Sequence, residues 1–265
     1  MRGRRIPTRT IHPPLDPEPA VTLANADVMR GRTAALRDVT FELPPGSLTA
    51  VVGPNGAGKS SLFALISGRL RQARGEVRVR GAVAEVLQRT QLDPDLPLTV
   101  DDVVRLGRFP SRGPVRPMRR HDRHVVDESL DALELRELRR RPISQLSGGQ
   151  QQRALVAQGL AQQAPVLLLD EPNAGLDAQS QRLVLDVMRS QADAGNTVMF
   201  ATHDLTEAAR ADHVIVLACE CVCCAPPITA LANPTVTALF GPAPSAGDEQ
   251  LEEAQLIASR RSTNA

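Results

Sequence analysis

The 265-residue chain contains no tryptophan and no tyrosine, and five phenylalanines are its whole aromatic complement. Single-stranded nucleic acids are held largely by rings that stack on bases, so a nucleic-acid partner is not expected. Lysine is nearly missing too. Lys59 is the one lysine, and every other member of the 31-residue basic set is arginine. An ammonium kept at a single position points to a task that the planar guanidinium fork does not perform. Neither sign of charge dominates: the formal net charge is +1, which provides no field to gather a polyanion or an acidic membrane surface. Long apolar runs are also absent. The longest, such as Val166–Leu169 and Val214–Cys219, are strand-length, far short of the ~20 residues that cross a bilayer. Arg2, Arg4, Arg5 and Arg9 are not followed by the apolar core of a signal peptide. A cytoplasmic setting follows, in which the four cysteines stay reduced.

What is present is an ordinary globular balance, 42% hydrophobic and 23% charged. Residues 1–20 are rich in Pro and Arg and read as a disordered leader. Strand patterns begin at Val21, and Pro44-Pro-Gly46 separates Val39–Leu43 from Leu48–Val52. Two further short strands are expected between Glu76 and Gln88, broken at Gly81. Helical periodicity dominates from about 92 to 163, punctuated by prolines, and strand–helix alternation then resumes to about Cys224. Residues 241–265 read as a flexible tail with a short helix near Glu249–Ile257. The expected architecture is an α/β core interrupted by a helical insert.

Three elements carry chemistry. Gly53-Pro-Asn-Gly-Ala-Gly-Lys-Ser60 follows an apolar strand and precedes an apolar-periodic helix, the context a phosphate-binding loop requires. Its glycines let backbone N–H groups turn toward phosphate oxygens, and the helix N-terminus adds its positive end. Lys59 would reach the β- and γ-phosphates, and the Ser60 hydroxyl would ligate Mg²⁺. The second element, Val166–Asp170 followed by Glu171, is a buried strand whose C-terminal end carries two carboxylates. Asp170 would hold Mg²⁺ and Glu171 would polarise the attacking water. The third is Leu146-Ser-Gly-Gly-Gln150 at a helix start, with Ser147 suited to N-capping.

In that order these elements resemble the ATPase subunits of ABC transporters, over roughly residues 21–241. The resemblance implies a P-loop NTPase core with an antiparallel β subdomain and a helical subdomain bearing the signature. It implies ATP and Mg²⁺ as ligands. The nucleotide contacts fall on Gly53, Pro54, Asn55, Gly56, Ala57, Gly58, Lys59, Ser60 and Ser61. Across a two-fold dimer, Ser147, Gly148, Gly149 and Gln150 would face the partner's ATP, and Asp177 would lie at the crossing loop. Gln88 resembles the glutamine that touches Mg²⁺ and relays to the permease, and His203 the histidine that contacts the γ-phosphate. Separate membrane permease subunits are implied, with a substrate-binding protein indirectly, and a place on the cytoplasmic face of the membrane. Leu96–Val100, Val104–Arg108 and Ala154–Gln162 resemble subunits of divalent-metal importers, zinc first and manganese next; ferric-siderophore and cobalamin importers share much of this wording. Repair-type and ribosomal ABC ATPases carry a distant signature or a second ATPase domain, and this chain has neither.

Other features resist assignment. ABC ATPases usually stack the adenine on an aromatic ring ahead of the core strands; here the segment is Val28-Met-Arg-Gly31, so Met29 or Arg30 is expected to cover the base. Arg105, Arg108, Arg112, Arg116, Arg119, Arg120 and Arg123 read as a solvated basic face, with permease or lipid head groups as the alternative. In a regular strand Cys221 and Cys223 share one face and Cys224 points away, so Cys219, Cys221, Cys223 and Cys224 read as small apolar packing rather than a zinc site.

Overall fold

The computed structural model describes residues 18–87, 97–112 and 116–240. The leader, apart from its last three residues, and the whole expected tail fall outside them, as do Gln88 and the first residues of the helical insert.

Two sheets organise the chain. β1 (Val21–Arg30), β2 (Thr33–Leu43) and β4 (Arg74–Val79) form an antiparallel sheet in the order β2-β1-β4. The second sheet has six strands in the order β5-β6-β7-β3-β8-β9. These are β5 (Val83–Val86), β6 (Val166–Asp170), β7 (Thr197–Thr202), β3 (Leu48–Val52), β8 (His213–Leu217) and β9 (Cys221–Ala225). All neighbours are parallel except β8 and β9. β3, β6 and β7 are buried along their whole length, because a parallel strand is covered on both faces.

The coverings differ. On one face, α1 (Lys59–Ile66) lies between the parallel sheet and the antiparallel one, and Leu62, Phe63 and Leu65 fill that layer with Val51, Leu168 and Leu217. On the other, α5 (Gly148–Leu160) and α6 (Ala178–Asp193) pack against the sheet. α2 (Val100–Leu106) and α4 (Arg120–Ala132) stack on α5, with the single turn α3 (Phe109–Arg112) between them in sequence. After β7 come α7 (Leu205–Ala208), the β8–β9 hairpin, α8 (Pro227–Leu231) and α9 (Pro234–Phe240). Helix starts follow sequence chemistry at α2, where Thr99 and Asp102 form a capping box, and at α6 and α7, capped by Asp177 and Asp204.

Two expectations are corrected by tertiary detail. Leu217 pairs with Cys221 while Val216 pairs with Cys223, so two steps of β9 oppose one of β8. That is a β-bulge, and it resets the alternation. Cys221 and Cys224 therefore pack toward the α1 layer and Cys223 toward the opposite one. The expected pairing of Cys221 with Cys223 is wrong, and no metal-holding cluster of His, Cys, Asp or Glu exists among the described residues. Nor is the arginine stretch uniformly solvated. Arg108 is only 5% exposed. Its Nε donates to Asp122 at 3.1 Å, and its Nη1 donates to the carbonyl of Ala161 at 2.7 Å and to Gln163 at 3.2 Å. It joins the end of α2, the start of α4 and the end of α5.

Candidate nucleotide site

Parallel registry brings the chemistry to one edge of the large sheet. Val52 lies opposite Thr202, and Asp170 opposite Ala201. The ends of β3, β6 and β7 thus open on the same crevice, where α/β sheets bind ligands.

The loop after β3 is shaped by contacts only glycine allows. A Cβ on Gly53 would stand 2.2 Å from the Leu217 carbonyl oxygen. Gly58 has φ +100°, and a Cβ there would meet Ala35 O at 2.6 Å. The chain then enters α1 with Lys59 as its first residue, buried, its ammonium donating to the carbonyls of Gly53 (2.6 Å) and Pro54 (3.2 Å). Burial pushes the Lys59 ammonium below its usual value, while the Glu171 and Asp170 carboxylates pull it back up. A cavity of about 490 Å³ is lined by the loop residues Asn55 to Ser61, by Glu171 and Cys219, and by Arg30 with Thr33–Ala35 opposite. Pro54 and Gly53 form the loop but do not line the cavity.

Asp170 ends β6 and is buried. Glu171 follows with φ +50°, its N–H donating to Ala201 O at 3.2 Å. That left-handed turn is strained for a non-glycine residue, the kind of cost that concentrates at functional positions. Glu171 forms a wall of the phosphate-loop cavity and also of a smaller one, about 130 Å³, that contains His203. So the structure brings Lys59, Ser60, Asp170 and Glu171 together, with His203 on the far side of Glu171.

The other predicted residues divide. Arg30 lines the phosphate-loop cavity, whereas Met29, its neighbour on the opposite face of β1, does not. Ser147 and Gln150 cap one another: Gln150 N–H donates to Ser147 Oγ at 3.2 Å and Ser147 N–H to Gln150 Oε1 at 3.1 Å. Ser147, Gly148, Gly149 and Gln150 do not line the cavity that holds Lys59. A Cβ on Gly148 would meet nothing within 4 Å, so nothing among the described residues requires glycine there. Asp177 accepts from the N–H groups of Gln179 and Ser180 and so starts α6; the Ser180 bonds hold its carboxyl below the usual range. Gln88 lies outside the described residues.

Sequence reasoning missed a buried clasp. Glu207 on α7 accepts from Asn173 Nδ2 at 2.8 Å and from the Thr202 hydroxyl at 2.7 Å. Asn173 follows Glu171 by two positions and Thr202 precedes His203, so one carboxylate ties the Glu171 segment to the His203 segment. Burial raises the Glu207 carboxyl above the ordinary range, opposed by the two bonds it accepts. Its only sequence signal was a glutamate four positions after His203 on a helix start.

The donors at this edge are hard oxygens, a Ser60 hydroxyl and a buried Asp170 carboxylate, beside a lysine and a glycine-rich loop. That set fits Mg²⁺ accompanied by a nucleotide's phosphates.

Known proteins match on both sequence and fold. The family model described as ABC transporter matches residues 36–174. The manganese transport system ATP-binding protein MntA of Synechocystis is 39% identical over 194 residues, 69% of this chain and 75% of that protein. Manganese transport ATP-binding proteins recur among the relatives. The hemin import ATP-binding protein HmuV of Streptomyces coelicolor is 39% identical over 235 residues, 82% of this chain and 83% of that protein. Among solved structures, a bacterial ABC transporter cassette described as dimeric superposes with a TM-score of 0.69 and 26% identity, covering 78% of this chain and 98% of that one. This chain belongs to the ABC transporter family, as one of its ATP-hydrolysing subunits.

Proposed function

We propose that this ATPase powers import of a divalent transition metal, manganese before zinc, through a separate permease. The observation that carries the cargo is the recurrence of manganese in its relatives' names. The sequence motifs alone favour zinc; manganese recurs in the names of the relatives, so manganese moves ahead. Haem or chelated iron is the second reading, favoured by the hemin and chelated-iron relatives.

In this reading Lys59 and the loop N–H groups bind the β- and γ-phosphates of ATP. Ser60 and Asp170, with Gln88, would hold Mg²⁺, which neutralises phosphate charge. Glu171 takes a proton from the water that attacks the γ-phosphorus, and the P–O bond to ADP breaks. His203 steadies the γ-phosphate, and the Glu207 clasp keeps it and Glu171 in register. The signature of a second copy completes the site: Gly148 is open to solvent and no contact among the described residues demands glycine there. That favours close approach of a partner's nucleotide. Arg30 covers the base. No helix of the described residues is long and apolar enough to cross a membrane, so the subunit docks on its permease at the cytoplasmic face, and a substrate-binding protein delivers the cargo.

Uptake of radiolabelled Mn²⁺ tests this in a strain lacking the gene. The wild-type gene should restore uptake and the Glu171→Gln form should not. Unchanged Mn²⁺ uptake with lost haem or iron-chelate uptake would move the second reading to first place.

A further inference from the structure

Glu171 is the one described residue that walls both the phosphate-loop cavity and the smaller cavity beside it. Its position therefore has a front, toward Lys59 and Ser60, and a rear, toward Asn173, Thr202, His203 and Glu207. The rear cavity runs from a buried lining to a wet one. Asn173 is only 5% exposed, and Thr202 and Glu207 are buried with it, whereas Gly175 and His203 are exposed. At ~30 Å³ per molecule in the liquid, a space of about 130 Å³ has room for a short row of waters.

The polar groups of this lining are unequally satisfied. Glu207 has both carboxylate oxygens engaged, by Asn173 Nδ2 and by the Thr202 hydroxyl. Asp204 accepts through Oδ1 from the N–H groups of Thr206 and Glu207 and from the Thr206 hydroxyl. Asn173 is the exception. Its Nδ2 donates to Glu207 at 2.8 Å, but its Oδ1 is buried with no hydrogen-bond partner among the described residues. Buried amide oxygens in folded proteins are paired, and beside a polar cavity the ordinary donor is water.

We propose, on the reading of Glu171 as the general base, that the rear cavity is a water site anchored by Asn173 Oδ1, through which Glu171 discharges its proton. The Glu171 carboxylate takes one proton as the water oxygen bonds to the γ-phosphorus and the P–O bond to ADP breaks. The carboxylic acid gives that proton to the rear water, which passes one on past the exposed His203 to solvent. Glu171 is then a carboxylate again, ready for the next turnover. In the closed dimer the front is covered by nucleotide and by the second copy's signature, so the rear is the open side. Asn173 acts through the water it holds and is a positioning residue.

The test measures steady-state ATP hydrolysis by the full chain, with imidazole added as a small proton carrier at constant ionic strength. Asn173→Ala should lower kcat about tenfold, part of what positioned proton transfer contributes. The KM for MgATP should stay within about twofold, because the front of the site is untouched. Rising imidazole should restore kcat in Asn173→Ala and leave the wild type unmoved, a response that a purely structural role does not produce. Gln181→Leu replaces the other amide of the cavity lining and leaves the Asn173–Glu207 bond in place. It should show the same imidazole-dependent recovery, and it decides the matter if Asn173→Ala does not fold. A lowered kcat that imidazole does not restore would mean that Asn173 only holds the clasp, and the proposal falls. An unchanged kcat in both variants overturns it as well. Glu171→Gln separates the two readings: turnover at the wild-type rate in that variant would remove the general base itself.

Discussion

Replacing Arg30 with Trp should tighten MgATP binding and report on it at the same time. Arg30 ends β1, pairs with Thr33 across a turn at Gly31, and faces the cavity that holds Lys59. Thr33, Ala34 and Ala35 also line it, and none of its lining residues among those described is aromatic. A base resting on a guanidinium gains about 0.5–2 kcal/mol from the cation–π contact. Stacking on an aromatic ring is worth about 1–3 kcal/mol per base. The difference, near 1 kcal/mol, is about a fivefold lower dissociation constant for Arg30→Trp. Calorimetry measures it directly. The chain has no other Trp and no Tyr, so Arg30→Trp carries the only indole, and its emission should change as the base stacks. GTP should do nearly the same, since an aromatic face accepts either purine. Unaltered emission and an unaltered dissociation constant at saturating MgATP would mean that the base lies elsewhere, and the assignment of Arg30 would fail.

Gly148→Ala should leave the melting temperature of the isolated subunit near wild type, because a Cβ there meets nothing within 4 Å. It should nevertheless weaken the ATP-dependent dimer in a Glu171→Gln background; size exclusion with MgATP reads this, and an undiminished dimer argues against a partner at that glycine. Gly53→Ala places a Cβ 2.2 Å from a backbone oxygen and should lose MgATP binding in the same calorimetric assay. Arg108→Ala breaks a buried pair and should cost about 3–5 kcal/mol in denaturant unfolding; a loss under 1 kcal/mol would show Asp122 to be solvated. Burial raises the Cys221 thiol to about 12 and Cys224 to about 11. A thiol whose folded pKa is raised stabilises below its unfolded value, near 8.5, and that stability is lost as pH rises toward the folded values. Unfolding midpoints should therefore fall above about pH 8.5, and less so after all four cysteines are changed to Ser; equal slopes would refute the burial argument.

The phosphate loop, the acidic strand end and the signature were legible in the sequence because each is a short run whose chemistry is set by adjacent residues. A glycine pattern between strand and helix, or a serine three positions before a glutamine, keeps its meaning in any surroundings that let it fold. The α/β order was legible for the same reason, since strand and helix periods are local. What tertiary structure decided depends on partners far along the chain. Arg108 looks like its neighbours in sequence, yet it is buried because the ends of α2, α4 and α5 converge on it. Met29 and Arg30 are equal candidates in sequence; the sheet's alternation sends only Arg30 to the cavity. One bulge in β9 moved Cys224 to the face of Cys221, since a single added residue inverts every side chain that follows. The Glu207 clasp needs β7, α7 and the turn after Glu171 in place before its carboxylate has anything to bind. Spacing reveals which groups are available, and only packing decides which of them lose water and meet.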